Sequence, residues 1–469
     1  NVELGSPPPP AAYAVDFSEV IFSSQPIPCP QPPALAVASG VWTPNRDLAD
    51  QILVGDLARL PANTIVKVAR SSNSILNDVI ETPHYINGRG TDGSIAITDA
   101  WCGAAKDKAR RRILPYGGGH GDSHQCETGV YEYITDTGRF NRLVNRQPQN
   151  VETRQTGGTT GTGITLGNSF PGGYNFPTST GVPQIVHTYD SPKHIPPAAM
   201  VAAGLAASSV RGGLYLDGRA RAIVNLDTGQ NSKVFWLDNN FDQSYSMVIL
   251  DGTTLLMPKN DFNWLRWDFS QTTFTDWATS TFDPNPAVPS VGKFISTLTS
   301  TTGFVYNHKA FVDCPERREC VSFAGNHAAM RVRYGQAIDA AASDITSYHD
   351  AITLTSANGT DHLDFSSANL NDIGSTNLLC SAGADYDDVE GAIFIAANLV
   401  GGAIYKITGL AGSTWTVLKL PGSTLPTSSS NGTYGRFRVF WRGGQRFGVR
   451  ITNTTNAPEY VRLPPPWAA

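Results

Sequence analysis

The sequence predicts an all-β protein built as a single β-propeller, and three observations support this prediction. Patterns of four short strands recur at the spacing of roughly 40–50 residues that is typical of propeller blades. The 45 glycines and 31 prolines among 469 residues supply many turns, and only 16% of the residues are charged. Sustained helical periodicity is almost absent, and its clearest candidate is the short stretch 45–60.

The clearest copy of the repeat lies at residues 116–143, with the sequence YGGGHGDSHQCETGVYEYITDTGRFNRL. We predict a strand that ends in Gly117, Gly118 and Gly119, a second strand over VYEYI, a tight turn at TDTGR and a third strand from Phe140. Aromatic and β-branched runs separated by Gly, Asp and Thr favour such an antiparallel meander. Related strand–turn–strand sequences begin at Ala222, Trp264 and Ala403.

Six predicted blades follow one another along the chain, at about residues 97–143, 184–238, 243–280, 302–355, 376–420 and 433–464. The last blade shows only three clear strands. We therefore predict that an N-terminal strand supplies the fourth and closes the ring, because closure removes two exposed sheet edges. A seventh blade is also compatible with the sequence, hidden in 36–96 or 144–218.

The N-terminal residues 1–35 are predicted to form a separate arm, because they contain the proline-rich stretches SPPPP and PIPCPQPP. This arm is either a linker or a segment that docks on a protein partner or a neighbouring subunit. Residues 36–469 are assigned to the propeller. Within them, the Gly-, Thr- and Asn-rich segment 144–183 is predicted to be an insertion that forms an ordered surface lobe.

Composition restricts the partners and the compartment. A net charge of −5 and a pI near 6.0 argue against a nucleic-acid partner. No apolar run reaches the length of a membrane span. The absence of an initial Met suggests a removed signal peptide, and six cysteines indicate an oxidising compartment. The sequence therefore predicts an extracellular or secreted protein, with a virion or cell surface as further options.

Three motifs resemble a known family. They are the GGGHGD…VYEYITDTGRF module, HTYDS at 187–191 and NGTYGRFR at 431–438. They resemble kelch-type propellers of the galactose oxidase superfamily, and more narrowly secreted bacterial kelch-like proteins whose last blade opens with an NGTYGRFR-like segment. The resemblance extends over about residues 97–464. It implies six or seven kelch-like blades of four strands each.

Blade geometry predicts where functional side chains meet. The loop between the second and third strands of a blade opens on the same face as the start of the first strand, which lines the central channel. Residues in these places should converge at one mouth of the channel, on a face whose rim includes the insertion at 144–183. The predicted site residues are His120, His187, Tyr189, Tyr434 and Arg436.

A His, Tyr and Arg set around a polar funnel suggests a polysaccharide lyase that acts on a uronate-containing glycan. Arg436 would stabilise the enolate charge, and a His or Tyr would act as the base and another as the acid. Ulvan-lyase propellers use such a set, and the present residues resemble it in type and location. The structural alternative is that these Arg and His side chains bond backbone carbonyls between blades.

The sequence is open to two further interpretations. A galactose-oxidase-like copper site needs two Tyr, two His and a Cys cross-linked to one Tyr, and no spacing in the sequence singles out such a set. We therefore expect no cofactor and no metal. A non-catalytic structural or adhesion subunit of an extracellular filament or virion is the alternative in another class, with an anionic or neutral glycan or a protein as its partner. The sequence leaves both function classes open.

Disulfides are expected from the cysteine positions. Cys314 and Cys320 bracket the PERRE turn, and strand partners across such a turn bring Cβ atoms within disulfide reach. Cys102 and Cys126 form a second predicted pair, because both lie toward one face of the same blade.

Two cysteines are left without an obvious partner in the same blade. Cys29 lies in the proline-rich arm, and Cys380 precedes a predicted first strand. They either tether the arm to the propeller or stay as free thiols.

Overall fold

The computed structural model describes the larger part of the propeller region. The described residues are 41–42, 60, 62–70, 72–80, 97–98, 102–116, 129–144, 190–216, 220–229, 231–236, 248–260, 263–270, 290–293, 310–323, 325–326, 328–340, 346–359, 364–365, 382–398, 402–427 and 432–464. The chain divides into two compact bodies, Asn1–Pro33 and Ala34–Ala469. The first body lies outside the described residues, so the predicted arm boundary at residue 35 stays a prediction.

The described residues contain 27 strands, most of them short runs of buried β-branched and aromatic residues. The N-terminal strands are β1 (Val41–Trp42) and β2 (Ile65–Val68). The next are β3 (Gly103–Asp107), β4 (Arg112–Tyr116), β5 (Val130–Ile134), β6 (Arg139–Val144), β7 (Lys193–Ile195), β8 (Gly213–Leu216), β9 (Ala220–Asn225) and β10 (Asn231–Trp236). They are followed by β11 (Ile249–Asp251), β12 (Thr254–Asn260), β13 (Asn263–Asp268), β14 (Ser290–Lys293), β15 (Ala310–Cys314), β16 (Glu319–Phe323), β17 (Gly325–Asn326), β18 (Ala328–Val332) and β19 (His349–Ser356). The last are β20 (Asp364–Phe365), β21 (Gly383–Asp387), β22 (Ala392–Ala396), β23 (Ile404–Thr408), β24 (Thr414–Lys419), β25 (Phe437–Arg442), β26 (Gln445–Arg450) and β27 (Glu459–Leu463).

These strands form four-stranded antiparallel units in chain order, near the segments predicted to be blades. The third prediction, 243–280, ended too early, because β14 at Ser290–Lys293 is the fourth strand of that unit. Unit 1 contains β3–β6, unit 2 β7–β10, unit 3 β11–β14, unit 4 β15, β16, β18 and β19, and unit 5 β21–β24. Unit 6 contains β25, β26 and β27 and takes β2 as its fourth strand. The outer strands β19 and β24 also pair in parallel, which joins units 4 and 5 into one eight-stranded sheet. The short strands β17 and β20 pair separately.

Helices are few and short. The described helices are α1 (Pro197–Ala202), α2 (Tyr334–Asp339) and 3-10 turns at Leu76–Asp78, Thr346–Tyr348 and Tyr434–Arg436. Helix α1 begins with a proline, whose fixed φ suits the first helical position. Among the described residues, no helix is long and apolar enough to cross a membrane.

The N-terminal strand β2 closes the ring, as the sequence predicted. It pairs antiparallel with β27, with Val66 opposite Tyr460, and β1 adds to it in parallel. The Asn63 amide also donates to the Arg462 carbonyl at 2.8 Å. The last sheet therefore combines residues from both ends of the propeller region, and β2 covers the edge that β27 would otherwise expose.

The hydrophobic cores lie between neighbouring units. Buried side chains of unit 1 pack against those of units 2 and 6, those of unit 2 against unit 3, and those of units 4, 5 and 6 against one another. The first strands face inward, since β3 contacts β7, β7 contacts β11, β15 contacts β21 and β21 contacts β25. Inward first strands, cores between successive sheets and closure by an N-terminal strand define a β-propeller.

The disulfide predicted between Cys314 and Cys320 is wrong. Both cysteines are buried free thiols. The register of β15 and β16 pairs Cys314 with Glu319 and Cys320 with Asp313. Paired residues share a face of a sheet and successive residues alternate, so the two thiols lie on opposite faces. Cys126, Cys29 and Cys380 lie outside the described residues, so the proposals for them stay predictions.

Candidate functional site

A cavity of about 880 Å³ lies where the first strands end, at the hairpins that join first and second strands. All six units contribute to its lining, and helix α1 adds an apolar panel of Pro and Ala residues. The polar lining residues include Lys106, Lys108, Lys193, His194, Asp313, Glu316, Asp385, Asp388 and Arg438. Among the described residues, no cluster of three or more His, Cys, Asp or Glu side chains could hold a metal ion.

Arg438 on β25 is buried among residues from several units at the base of this cavity. Its Nη2 donates to the Ala104 carbonyl at 2.6 Å and to Asp190 Oδ1 at 2.9 Å, and its Nη1 donates to the Ala384 carbonyl at 3.3 Å. Burial raises the pKa of Asp190, although the Arg438 charge opposes that rise. The ion pair joins units 2 and 6, and the hydrogen bonds to Ala104 and Ala384 extend the contact to units 1 and 5.

A second buried pair crosses the axis beside Arg438. Lys106 Nζ on β3 lies 2.6 Å from Asp385 Oδ2 on β21, although units 1 and 5 are not neighbours along the ring. The same carboxylate accepts the Val439 amide of unit 6 at 2.7 Å. Asp385 is therefore already paired within the protein, with one donor from unit 1 and one from unit 6.

Lys193 on β7 differs from Lys106 because it has no close counter-ion. Among the residues that the structure describes, none places a carboxylate oxygen within 4.0 Å of its Nζ. Its ammonium lies 5.7 Å from the centroid of the Phe311 ring, within cation–π range. Lys193 therefore presents a positive charge to the cavity whose only described close contact is an aromatic face.

Asp313 on β15 is a carboxylate that lines the cavity with Lys193. Tyr334 of helix α2 donates a hydrogen bond to its Oδ1 at 3.2 Å. Burial raises the pKa of Asp313 from an ordinary 3.8 to about 6, and the more distant charge of Lys193 limits the rise. The Asp313 carboxyl is thus protonated in mildly acidic solution. We name Lys193, Phe311, Asp313 and Tyr334 the Lys193 wall.

His194 lines the same cavity but is already occupied. Its Nε2 lies 2.8 Å from the Arg211 carbonyl and 3.5 Å from Asp107 Oδ2. Burial lowers the pKa of His194, and the Asp107 charge opposes that fall. A neutral imidazole that donates Nε2–H to a carbonyl fits this geometry, and it has no role as a proton acceptor through that nitrogen.

An ion-pair network crosses the mouth of the cavity. Lys108, in the first hairpin of unit 1, contacts Glu316 of unit 4 and lies 2.8 Å from Asp388 Oδ2 of unit 5. Burial lowers the pKa of Lys108, but hydrogen bonds with Asp388 and Glu316 outweigh it and raise the pKa overall. The side chains are substantially exposed, so the network is weak and sensitive to salt.

Of the five predicted site residues, the structure describes Tyr434 and Arg436, and both are buried. Arg436 donates to the carbonyls of Cys102 at 2.8 Å and of Ile451 and Thr452 at 2.9 Å each, and it also contacts the Gly432 carbonyl. Arg436 is therefore buried and donates to backbone carbonyls of units 1 and 6. His120, His187 and Tyr189 lie outside the described residues, and a catalytic role for the set stays a prediction.

The TYGRFR motif is packed tightly against the base of the cavity. Tyr434 has a φ of +42°, a conformation that non-glycine residues rarely adopt. A Cβ on Gly435 would overlap Asp190 Oδ1 and the Ala104 carbonyl oxygen. The motif thus requires glycine because its backbone approaches two other units, which is a packing requirement.

The cavity lies at the opposite ends of the first strands from the mouth that the sequence predicted. The residues that sequence reasoning missed are Lys106, Lys193, Asp313 and Asp385. The available signal was a charged residue within an otherwise apolar first strand, as in GAAKD, AFVDC and GADYD. When such a strand is buried at the centre of the ring, its charged side chains can only point into the channel or pair with one another.

Comparisons with known proteins add little to this geometry. No protein-family model and no curated protein sequence matches the chain. Solved structures match weakly, among them the mitotic checkpoint complex, at a TM-score of 0.35 and 9% identity over 82% of this chain and 93% of that one. YCF48 bound to D1 peptide matches at 0.33 and 8% over 78% and 82%. A structural-genomics protein of unknown function from Bacteroides thetaiotaomicron matches at 0.39 and 10% over 85% and 75%. Such low scores carry no argument about family or function.

Proposed function

We propose that this protein is a non-catalytic glycan-binding β-propeller whose ligand binds in the cavity at the ends of the first strands. The observation that carries the proposal is the cavity itself. Its volume of about 880 Å³ lies within the range of roughly 300–1,000 Å³ typical of small-molecule sites. Its lining combines apolar panels with a few converging charged groups, which is the usual composition of a ligand pocket.

The chemistry of the lining suits a sugar. Sugar rings have apolar C–H faces and polar hydroxyl edges, and the cavity offers Pro and Ala surfaces, the aromatic ring of Tyr386 and both donors and acceptors. Burial raises the pKa of Tyr386 to about 12, so its phenol stays neutral and can donate a hydrogen bond.

The lyase interpretation has less support. It needs an Arg near the substrate carboxylate, and the Arg436 guanidinium donates to backbone carbonyls. A buried guanidinium with these partners would have to leave them unsatisfied in order to bind a substrate. Binding without catalysis, as in an adhesion or structural subunit, therefore agrees better with the observed contacts.

The finer family and location are part of the same proposal. The GGGH, HTYDS and NGTYGRFR motifs support membership of the kelch-type propellers of the galactose oxidase superfamily. Six four-stranded units among the described residues support a six-bladed ring. We further propose an extracellular site of action, on a virion or cell surface or in secreted form. A glycan partner exposed outside cells is consistent with this location.

A glycan array with neutral and uronate-containing oligosaccharides tests the proposal. The full chain should bind a subset of the array, and Ala198→Trp should abolish that binding because Ala198 is an exposed residue of the cavity lining. Val210→Trp is the control, since Val210 is exposed and lies outside the cavity lining. No binding by the wild type, or binding that survives Ala198→Trp, would contradict the proposal. Release of products with a new ultraviolet-absorbing double bond would favour the lyase instead.

A further inference from the structure

Three lysines line the cavity, and they differ in their counter-ions. Lys106 is paired with Asp385 at 2.6 Å, and Lys108 is paired with Glu316 and Asp388. Lys193, by contrast, has no carboxylate within 4.0 Å among the described residues. Asp313 and Asp190 act on the Lys193 ammonium only at longer range, so an anionic ligand in the cavity would give it its first direct ion pair among these groups.

The carboxylates around Lys193 are engaged by other groups. Asp190 is bound by Arg438 and Asp385 by Lys106. Asp313 accepts a hydrogen bond from the Tyr334 hydroxyl, and its interaction with Lys193 is electrostatic at longer range. An incoming anion therefore meets an ammonium that has no contact ion pair among the described residues, whereas Asp190 and Asp385 are already paired with Arg438 and Lys106.

We propose that the cavity selects ligands that carry a carboxylate and that Lys193 binds this carboxylate. The inference rests on the proposed glycan-binding function and names the class of glycan, one that contains uronic acid residues. The carboxylate would accept a charge-assisted hydrogen bond from Lys193 Nζ. Asp313 lies on the same wall and can exchange a hydrogen bond with a ring hydroxyl.

A matched pair of probes isolates the carboxylate. Trigalacturonate and its fully methyl-esterified form share the same sugar rings, and only the acid carries negative charge. Isothermal titration with the wild type should give roughly 10- to 100-fold tighter binding of the acid, the value of one hydrogen bond to a charged group. Lys193→Met should remove this preference and leave the affinity for the ester nearly unchanged, while Lys193→Arg should retain much of it.

Lys67→Met is the control, because it removes one ammonium outside the cavity lining, where Lys67 Nζ donates to Asn456 Oδ1 at 3.2 Å and no carboxylate of the described residues is left unpaired. If the acid preference survives in Lys193→Met, or is lost equally in Lys67→Met, the role of Lys193 is overturned. If the wild type binds the acid and the ester equally, glycan binding stands and carboxylate selection is overturned. If neither probe binds, both proposals are overturned for this sugar class. The unfolding midpoint of each variant shows that the comparison is made on folded protein.

Discussion

The Arg436 cluster, meaning Arg436 with the carbonyls it contacts, and the Lys193 wall are both polar groups near the axis of one ring. In the Arg436 cluster the guanidinium is buried and donates to carbonyls of units 1 and 6. In the Lys193 wall a lysine faces a cavity with no carboxylate within 4.0 Å in the described part of the chain, on the same wall as Asp313, whose pKa is raised to about 6. The first cluster is fully satisfied by the protein, and the second is not.

This difference shows that the most conspicuous motif in the sequence need not be the one that lines the cavity. The NGTYGRFR segment stands out in the sequence, yet its arginine and glycine hold units together. The residues that line the cavity belong to unremarkable sequences such as SPKH and VDCPE. A satisfied polar group stabilises the fold, whereas a polar group left without a partner at a cavity is a better candidate for binding.

Val66→Asp tests the ring-closing side of this comparison and should have the largest effect. Val66 on β2 is fully buried between units 1 and 6. A carboxylate there would be buried without a partner, so we expect a loss of about 3–5 kcal/mol in the free energy of unfolding. Urea denaturation measures it. The control Val210→Asp, at an exposed valine, should change stability little, and a Val66→Asp protein as stable as that control would refute ring closure by β2.

Asp313→Asn tests the Lys193 wall through pH. Because the folded-state pKa of Asp313 is raised from 3.8 to about 6, the folded protein binds this proton more tightly than the unfolded chain. Its contribution to stability is fully present below pH 3.8 and is lost as the pH rises through about 6. The loss should be on the order of 2–3 kcal/mol. The groups that act on this carboxyl are Lys193, Tyr334, Asp190, Glu316, Cys314 and Cys320.

The measurement is the difference in unfolding free energy between wild type and Asp313→Asn from pH 4 to pH 8. Relative to the wild type, the variant should become more stable as the pH rises. Asp227→Asn serves as a control of opposite sign. Burial raises the pKa of Asp227, but hydrogen bonds from Ser209 and two backbone amides outweigh it and lower the pKa. A flat difference curve for Asp313→Asn would show that this carboxyl is not buried as described.

Tyr460→Phe should lower the free energy of unfolding by a smaller amount. Like Arg436, Tyr460 is a buried polar residue that is paired within the protein. The buried Tyr460 hydroxyl of unit 6 lies 2.9 Å from the Thr135 carbonyl and 3.0 Å from the Tyr133 hydroxyl of unit 1. The substitution removes this hydroxyl and keeps the aromatic ring, so the Thr135 carbonyl and the Tyr133 hydroxyl each lose one hydrogen-bond partner while the apolar packing is unchanged. We expect a loss of about 1 kcal/mol by urea denaturation. An unchanged stability would mean that water replaces the hydroxyl.

Lys108→Met should have the smallest effect. The ion pairs of Lys108 with Glu316 and Asp388 are largely exposed, so their loss should cost less than about 1 kcal/mol. The difference from wild type should also shrink as salt is raised from 0.05 to about 0.5 M, because screening removes exposed interactions. A larger loss that is independent of salt would indicate that the network is buried and shapes the cavity mouth.

Much of the fold could be predicted from the sequence, because strands and turns leave local signals. Aromatic and β-branched runs between Gly and Asp/Thr turns located the six strand units, and the missing strand after Tyr434 pointed to closure from the N-terminal side. The prediction of a Cys314–Cys320 disulfide was wrong because of the register of one hairpin. The turn after Cys314 sets a register offset by one residue, which moves the two thiols to opposite faces.

The cavity could not be predicted in the same way, because its contacts join distant parts of the chain. Lys106 and Asp385 are 279 residues apart, and Arg438 and Asp190 are 248 apart. No local pattern relates such residues. The sequence also does not reveal that no carboxylate of the described residues lies within 4.0 Å of Lys193 Nζ, since that depends on how the other first strands place their acids.

The central claim is that Arg436 maintains the fold and Lys193 does not. Urea unfolding of Arg436→Met and Lys193→Met, measured side by side at pH 7, tests it most directly. Arg436→Met leaves several buried carbonyls without donors and should lose about 3–5 kcal/mol. Lys193→Met keeps the apolar length of the side chain and should lose less than about 1 kcal/mol. Equal losses, or a larger loss for Lys193→Met, would contradict this division of roles.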